Sequence, residues 1–214
     1  ITGPVALPDG TALDPATAEQ FLLADQYLLP TQAERVDLLE AVAFETVQKL
    51  LTSTLPAPPE LGDMFGSLAR EGRLVAWSSR PEEQDVYQRI GMAGLLPALD
   101  GGDGLAVSFN NASANKIDYF LEGSVVYDVS VDRSADTVSG TITMTVRNTS
   151  PTTGLPDYVI GNQVGEPVGT NVTYLTVYSG LPITGYTVDG QPGEFSLSSE
   201  AGYNAASTYL ALPA

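Results

Sequence analysis

The segment from Phe109 to Phe120 concentrates the polar side chains most able to do recognition chemistry in this chain. It contains Asn111, Asn115, Lys116 and Asp118, which together offer amide donors and acceptors, a cation and a carboxylate. Such a set can recognise a sugar, a peptide or a protein partner through directed hydrogen bonds. Asn and Asp side chains also satisfy backbone groups in tight turns. The segment therefore predicts either a polar binding pocket or a strand-to-strand connection held by its own side chains.

A second unusual stretch runs from Asn148 to Tyr158. Pro151 and Pro156 fix the path of its backbone, because a proline ring locks its own φ angle. Tyr158 combines an aromatic body with a hydroxyl, which suits it to anchor the stretch into a sheet. We interpret the stretch as an ordered loop between strands, with a surface recognition loop as the alternative. Tyr158 thereby joins the four polar residues of the first segment as a predicted binding residue.

The chain has no His and no Cys, which excludes several kinds of catalytic site. A histidine base, a cysteine nucleophile, a Ser–His–Asp triad and a Cys or His zinc site are all impossible within it. Carboxylate chemistry, Tyr, Ser–Lys pairs and hard cations bound by oxygen remain. Ser113 and Lys116 have the S-x-x-K spacing of Ser–Lys acyl enzymes, but that motif works at the start of a helix, and here a strand is predicted to follow. No catalytic residue is predicted. Whether the chain is an enzyme stays open, with a non-catalytic role favoured.

The charge of the chain is strongly one-sided, with nine Lys and Arg against 26 Asp and Glu and a net charge of −17. A surface of this sign repels phosphate backbones and anionic lipids, so neither nucleic acid nor direct membrane contact by this fragment is expected. We interpret the acids as a solvated surface, with calcium as the alternative. Residues 100–104 and the pair Asp132 and Asp136 resemble cation loops only loosely, and turn chemistry explains both. No cofactor is otherwise predicted.

The elements that must position these segments change in character near residue 105. Residues 1–104 predict helices with a few strands, and the firmest helix opens with a capping box at Thr31 and Glu34. From residue 105 onward Ser and Thr alternate with Val, Ile and Tyr, which is typical of half-buried antiparallel strands. Individual strands are predicted at 73–78, 117–132 and 182–188, among others. The predicted fold class is α+β, with a helix-rich region over 1–104 followed by an all-β immunoglobulin-like sandwich over 105–214.

No apolar run approaches the ~20 residues that a membrane-spanning helix needs. The chain starts at Ile1 rather than at Met and ends at Ala214, just after a strand-like stretch. We therefore expect it to be part of a longer protein.

Three stretches together resemble a known family. They are residues 1–5 (I-T-G-P-V), residues 110–119 (N-N-A-S-A-N-K-I-D-Y) and residues 148–158 (N-T-S-P-T-T-G-L-P-D-Y). On these stretches the chain resembles the C-terminal part of an uncharacterised family of actinobacterial cell-envelope proteins, domain of unknown function 4012. The resemblance implies an extracytoplasmic region, anchored to the cell membrane through a segment missing from this chain. It implies no assigned activity. A cell-wall or capsular glycan, or an envelope protein, is the kind of partner expected in that setting.

A second, weaker resemblance concerns the N-terminal region. A Gly-Pro-Val strand, a helix ending in Tyr27 and a helix opening Gln32-Ala33-Glu34-Arg35 are similar in order to the end of LytR-CpsA-Psr phosphotransferases. Those enzymes attach glycopolymers to peptidoglycan and grip a lipid pyrophosphate with arginines and a magnesium ion. Here only Arg35 falls near the arginine-bearing stretch.

The leading expectation is therefore an extracytoplasmic binding or scaffolding module of a bacterial cell-envelope protein. The alternative is an envelope glycopolymer transferase or hydrolase that uses carboxylates and a divalent cation. A calcium-stabilised structural domain is the third hypothesis.

Overall fold

A computed structural model describes residues 3–96, 99 and 102–214 of the chain. Residues 1 and 2 of the I-T-G-P-V stretch, and residues 100 and 101 of the 100–104 loop, lie outside the described residues. The chain divides into two compact units, residues 1–97 and residues 98–214. The described residues contain both helices and antiparallel strands, which confirms the predicted α+β class. None of the described helices is both long and apolar enough to cross a membrane.

The first unit is mainly helical. Its elements are β1 (Val5–Ala6), β2 (Ala12–Leu13), α1 (Ala18–Leu23), a 3-10 turn (Asp25–Leu28), α2 (Gln32–Thr52), α3 (Pro58–Arg70) and α4 (Pro81–Arg89). The capping box predicted for α2 is confirmed. Thr31 Oγ1 accepts a hydrogen bond from the Glu34 amide at 3.2 Å, and Glu34 Oε2 accepts one from the Thr31 amide at 3.0 Å.

The strand predicted at residues 73–78 is wrong. No strand is formed there, and the bond from the Ala76 amide to the Met92 carbonyl, at 2.7 Å, has no neighbours that would extend it into a ladder. The β-branched and aromatic residues of this stretch match strand propensity, but propensity yields to the absence of a pairing partner.

The second unit is built on antiparallel strands. In chain order it contains β3 (Leu105–Asn111), a 3-10 turn (Ile117–Phe120), β4 (Leu121–Asp132), β5 (Thr137–Asn148), α5 (Asp157–Ile160), β6 (Asn171–Ser179), β7 (Thr187–Val188), β8 (Gln191–Pro192), β9 (Ser196–Glu200) and β10 (Tyr203–Leu212). Four of these strands form one sheet in the order β3-β6-β10-β9. Two strands are shorter than predicted. The strand predicted at 117–132 begins only at Leu121, because residues 117–120 form a turn, and of the strand predicted at 182–188 only Thr187 and Val188 pair.

The central strand β6 separates two faces of this sheet, since successive side chains of a strand point to opposite sides. Its odd-numbered side chains, from Asn171 to Ser179, are all buried, and we call their side the core face. Its even-numbered side chains include Tyr174, Thr176 and Tyr178, and we call their side the tyrosine face.

Strands β4 and β5 form a long two-stranded ribbon. They pair with each other in register from Leu121 opposite Asn148 to Asp132 opposite Thr137, and with no other described strand. The predicted alternation is present, yet the apolar side is exposed toward the tip, with Val129 47% and Val131 61% exposed. The immunoglobulin-like sandwich is therefore not confirmed, because a sandwich requires that apolar side to lie on a second sheet.

Candidate functional site

The asparagine-rich segment leaves the end of β3 and returns to β4 through a compact loop. Ser113, Asn115 and Ile117 are buried, and Ile117 is completely so. The residues between them, including Lys116, are exposed, as is Asp118. Ala114 has a φ of 56°, a left-handed conformation that allows the chain to turn here. The loop therefore alternates between side chains that hold it to the sheet and side chains that face solvent.

The structure brings three of the predicted binding residues together. Asn111 Nδ2 lies 2.8 Å from Asn115 Oδ1 and 3.1 Å from Asp118 Oδ1, so one amide group bridges both. Asn111 Oδ1 accepts from the Ser113 amide at 2.9 Å, which closes a local turn. Asn115 Nδ2 donates to the carbonyl of Gly161, far along the chain.

Asn171, at the start of β6, extends this network into the core face. Its side chain is fully buried, and its Nδ2 donates to Asp118 Oδ1 at 2.8 Å. Asp118 Oδ1 thus accepts from both Asn171 and Asn111. Asp118 is an exposed residue, and this oxygen joins the loop to the sheet.

Ser113 does not have the surroundings of a nucleophile. Its hydroxyl accepts from the Val172 amide at 2.9 Å and donates to the Val172 carbonyl at 3.4 Å, and its side chain is fully buried. Lys116 Nζ instead lies 5.9 Å from the ring centroid of Tyr158, within the range of a cation–π contact. The two residues of the S-x-x-K motif therefore make separate contacts, Ser113 with the backbone of β6 and Lys116 with the Tyr158 ring.

The five predicted binding residues thus fall into two groups. Asn111, Asn115 and Asp118 form the hydrogen-bonded junction between loop and sheet, and Lys116 with Tyr158 forms a surface pair beside it. Their role in binding a ligand stays a prediction.

Two buried asparagines that make structural bonds of this kind were not among the predicted binding residues, namely Asn171 and Asn148. Asn148, at the end of β5, donates to the carbonyls of Gly169 and Leu212 at 2.7 and 2.8 Å, and its Oδ1 accepts from the Ser150 amide at 3.1 Å. Its sequence signal was an Asn at the end of a strand followed by Thr and Ser, which matches an N-glycosylation sequon as well as it matches a turn. With 8% exposure, this amide is used inside the fold.

The acidic side chains are the candidate ligands for a hard cation. No group of three or more Asp or Glu side chains converges among the described residues. At the ribbon tip Asp132 Oδ1 accepts from the Ser134 hydroxyl at 2.6 Å and from the amides of Ser134 and Ala135. These bonds, led by that of the Ser134 hydroxyl, lower the pKa of Asp132. This oxygen thus serves the turn.

One exposed carboxylate holds a tyrosine from another element. The Tyr127 hydroxyl donates to Asp103 Oδ2, which joins the ribbon to the residues just before β3. This hydrogen bond, followed by burial, raises the pKa of the Tyr127 hydroxyl. A hydrogen bond with the Ser179 side chain, at the end of β6, acts in the opposite direction and lowers this pKa.

Comparison with protein-family models, with curated proteins and with solved structures finds no match to this chain.

Proposed function

We propose that this chain is a non-catalytic binding or scaffolding module in the extracytoplasmic part of a bacterial cell-envelope protein. The observation that carries the proposal is how the candidate polar groups are used. The buried ones, Ser113 and Asn115, bond to backbone groups of distant strands and loops. The exposed ones, Lys116 and Tyr158, lie at the surface, where a partner can reach them.

The composition supports the same proposal. Without His or Cys the chain lacks the commonest bases and nucleophiles, and its most nucleophile-like serine is buried and hydrogen-bonded. A binding or scaffolding role needs only a stable body and an accessible surface. The immunoglobulin-like sandwich stays part of this proposal, and the ribbon is the element that would supply two strands of its second sheet.

The test is a sedimentation assay with purified bacterial cell walls and, separately, with membrane-derived envelope proteins. We expect the chain to sediment with one of these materials at sub-saturating concentration. The variants Lys116→Ala and Tyr158→Ala test whether these two predicted residues take part in that binding. Release of a lipid-linked glycan or cleavage of cell-wall polymer by the purified chain would instead establish the transferase or hydrolase alternative.

A further inference from the structure

We propose that the tyrosine face of the four-stranded sheet binds one chain of an uncharged polysaccharide, lying across the strands. The inference rests on the proposed binding function and names a surface and a ligand class for it.

A row of hydroxyl side chains crosses the tyrosine face. Direct pairing sets one hydroxyl residue from each strand side by side, and in sheet order these are Ser108, Thr176, Ser207 and Ser196. Directly paired residues point to the same side of a sheet, so the four hydroxyls share this face. Thr176 Oγ1 and Ser207 Oγ lie 2.9 Å apart at its centre. A hydroxyl both donates and accepts, which is the pattern that sugar hydroxyls present in return.

Tyrosines flank the hydroxyl row on both sides. On one side Tyr174 packs against Tyr209 of β10, with ring centroids 4.8 Å apart. On the other side the Tyr178 hydroxyl donates to Glu200 Oε2 at 3.0 Å, which restrains its ring. At a rise of ~3.3 Å per residue, the backbones of Tyr174 and Tyr178 are about 13 Å apart.

The centre of the hydroxyl row is covered, whereas its β9 end and the Tyr209 ring are exposed. Thr176 and Ser207 are only 5% and 8% exposed, whereas Tyr209 is 67% exposed. A sugar ring has apolar C–H faces and hydroxylated edges. Aromatic rings that carry a polar tip match the first, and the hydroxyls at the two ends of the row, those of the half-buried Ser108 and the exposed Ser196, match the second. Four strands spaced ~4.8 Å apart give a row about 14 Å long, enough for about three sugar rings.

The near absence of charged side chains on the four strands favours an uncharged polymer as the ligand. The four strands of the sheet contain one charged side chain, Glu200, and it is hydrogen-bonded to Tyr178. No cation on these strands would attract an anionic polymer, and the chain as a whole carries −17. An uncharged glycan neither suffers this repulsion nor needs a cation, so it is the complement that the face offers.

The experiment uses native gels cast with soluble uncharged polysaccharides, namely a galactan, a mannan, an arabinan and a β-glucan. Polygalacturonate serves as the anionic comparison. We expect at least one uncharged polymer to retard the wild-type chain. Tyr209→Ala, which removes an exposed ring, should weaken that retardation roughly fivefold to tenfold.

Two further variants keep the test independent of folding. Ser196→Glu places a carboxylate at an exposed position of the hydroxyl row and should weaken binding without touching the core. Tyr119→Ala is the matched control, because Tyr119 is 40% exposed but lies outside the four strands. It should retain wild-type retardation. Thermal melts of all three variants check that each is folded.

Several results would overturn the inference. These are no retardation by any uncharged polymer, retardation by polygalacturonate alone, and unchanged retardation in both Tyr209→Ala and Ser196→Glu. Weakening by Tyr158→Ala but not by Tyr209→Ala would place the glycan at the loop junction instead. If cell-wall sedimentation is lost when the walls are treated with protease, a protein is the ligand. In each of these cases the proposed binding function survives if the chain still sediments with envelope material, and it fails if the chain does not.

Discussion

At the scale of single residues, Asn115 is the side chain on which the loop junction depends most. It is 6% exposed, donates to the Gly161 carbonyl and accepts from Asn111 Nδ2 at 2.8 Å. Asn115→Ala removes the side chain that bonds to the Gly161 carbonyl and to Asn111 Nδ2. A buried polar group left unpaired costs about 1–3 kcal/mol. We expect this variant to lose about 2–4 kcal/mol of unfolding free energy, measured by urea denaturation.

Lys116→Ala is the control for that prediction, since Lys116 is adjacent and exposed. Its aromatic contact with Tyr158 is a surface contact, worth under about 1 kcal/mol. Equal losses in the two variants would contradict a junction held by its buried amide.

Tyr127 makes a prediction about alkaline pH. Its hydrogen bond to Asp103, followed by burial, raises the pKa of Tyr127 above the usual 10.0. The folded state therefore keeps this proton to higher pH than the unfolded state does. The stability from this group is fully present below the unfolded pKa and is lost as pH rises through the folded pKa. Above pH about 10, the unfolding free energy of the wild type should fall more steeply than that of Tyr127→Phe. Urea unfolding at a series of pH values measures both slopes, and parallel slopes would refute the prediction.

At the scale of elements, the ribbon of β4 and β5 should exchange its amide hydrogens unevenly. It is two strands wide, and an isolated pair of strands is marginal in water. Its base is held by Asn148, whereas Val131 at the tip is 61% exposed. We expect fast exchange near the tip, slower exchange toward the base and the slowest exchange in β6, which pairs on both edges. Hydrogen exchange followed by mass spectrometry tests this order. Protection at the tip equal to that of β6 would show that the ribbon is covered in solution.

The same elements show what could be predicted from the sequence and what could not. The capping box at Thr31 and Glu34 is local, so its residues alone determined the start of α2. The alternation of the ribbon correctly predicted strands, because a period of two reports which way side chains point. It did not reveal whether another sheet covers the apolar side, because that depends on strands distant in sequence. The contact of Asp118 with Asn171 could not be predicted for the same reason, because it depends on the pairing of β6 with β3, which brings Asn171 to the loop.

At the scale of the whole molecule, the two units differ in how much apolar surface they bury. The buried apolar residues of the first unit are Leu7, Leu13 and Ala69 among the described ones, and α2 contributes none. Among the described residues the second unit buries more apolar side chains, including Ile117, Ile160 and Tyr203, which are each at most 1% exposed. Because stability follows buried apolar area, a chain of residues 98–214 should unfold cooperatively alone, whereas residues 1–97 should melt without a sharp transition. Circular dichroism melts of the two fragments measure this. A sharp melt of residues 1–97 would contradict it.

The net charge of −17 gives a second prediction at this scale, and it separates a general effect from a specific site. Acids spread over a surface repel one another, and salt screens that repulsion over a Debye length of ~10 Å at 0.1 M. Raising the ionic strength should therefore raise the melting temperature of the chain. If this screening is the whole effect, calcium chloride and sodium chloride act equally at matched ionic strength. A specific calcium site would add a further stabilisation. It would grow with the logarithm of the calcium concentration, and sodium chloride would not produce it. Melts in both salts, with magnesium chloride as the divalent comparison, decide between the two. A rise in melting temperature that calcium produces and magnesium does not would establish the calcium-stabilised domain. Part of the acidic surface would then be a calcium ligand.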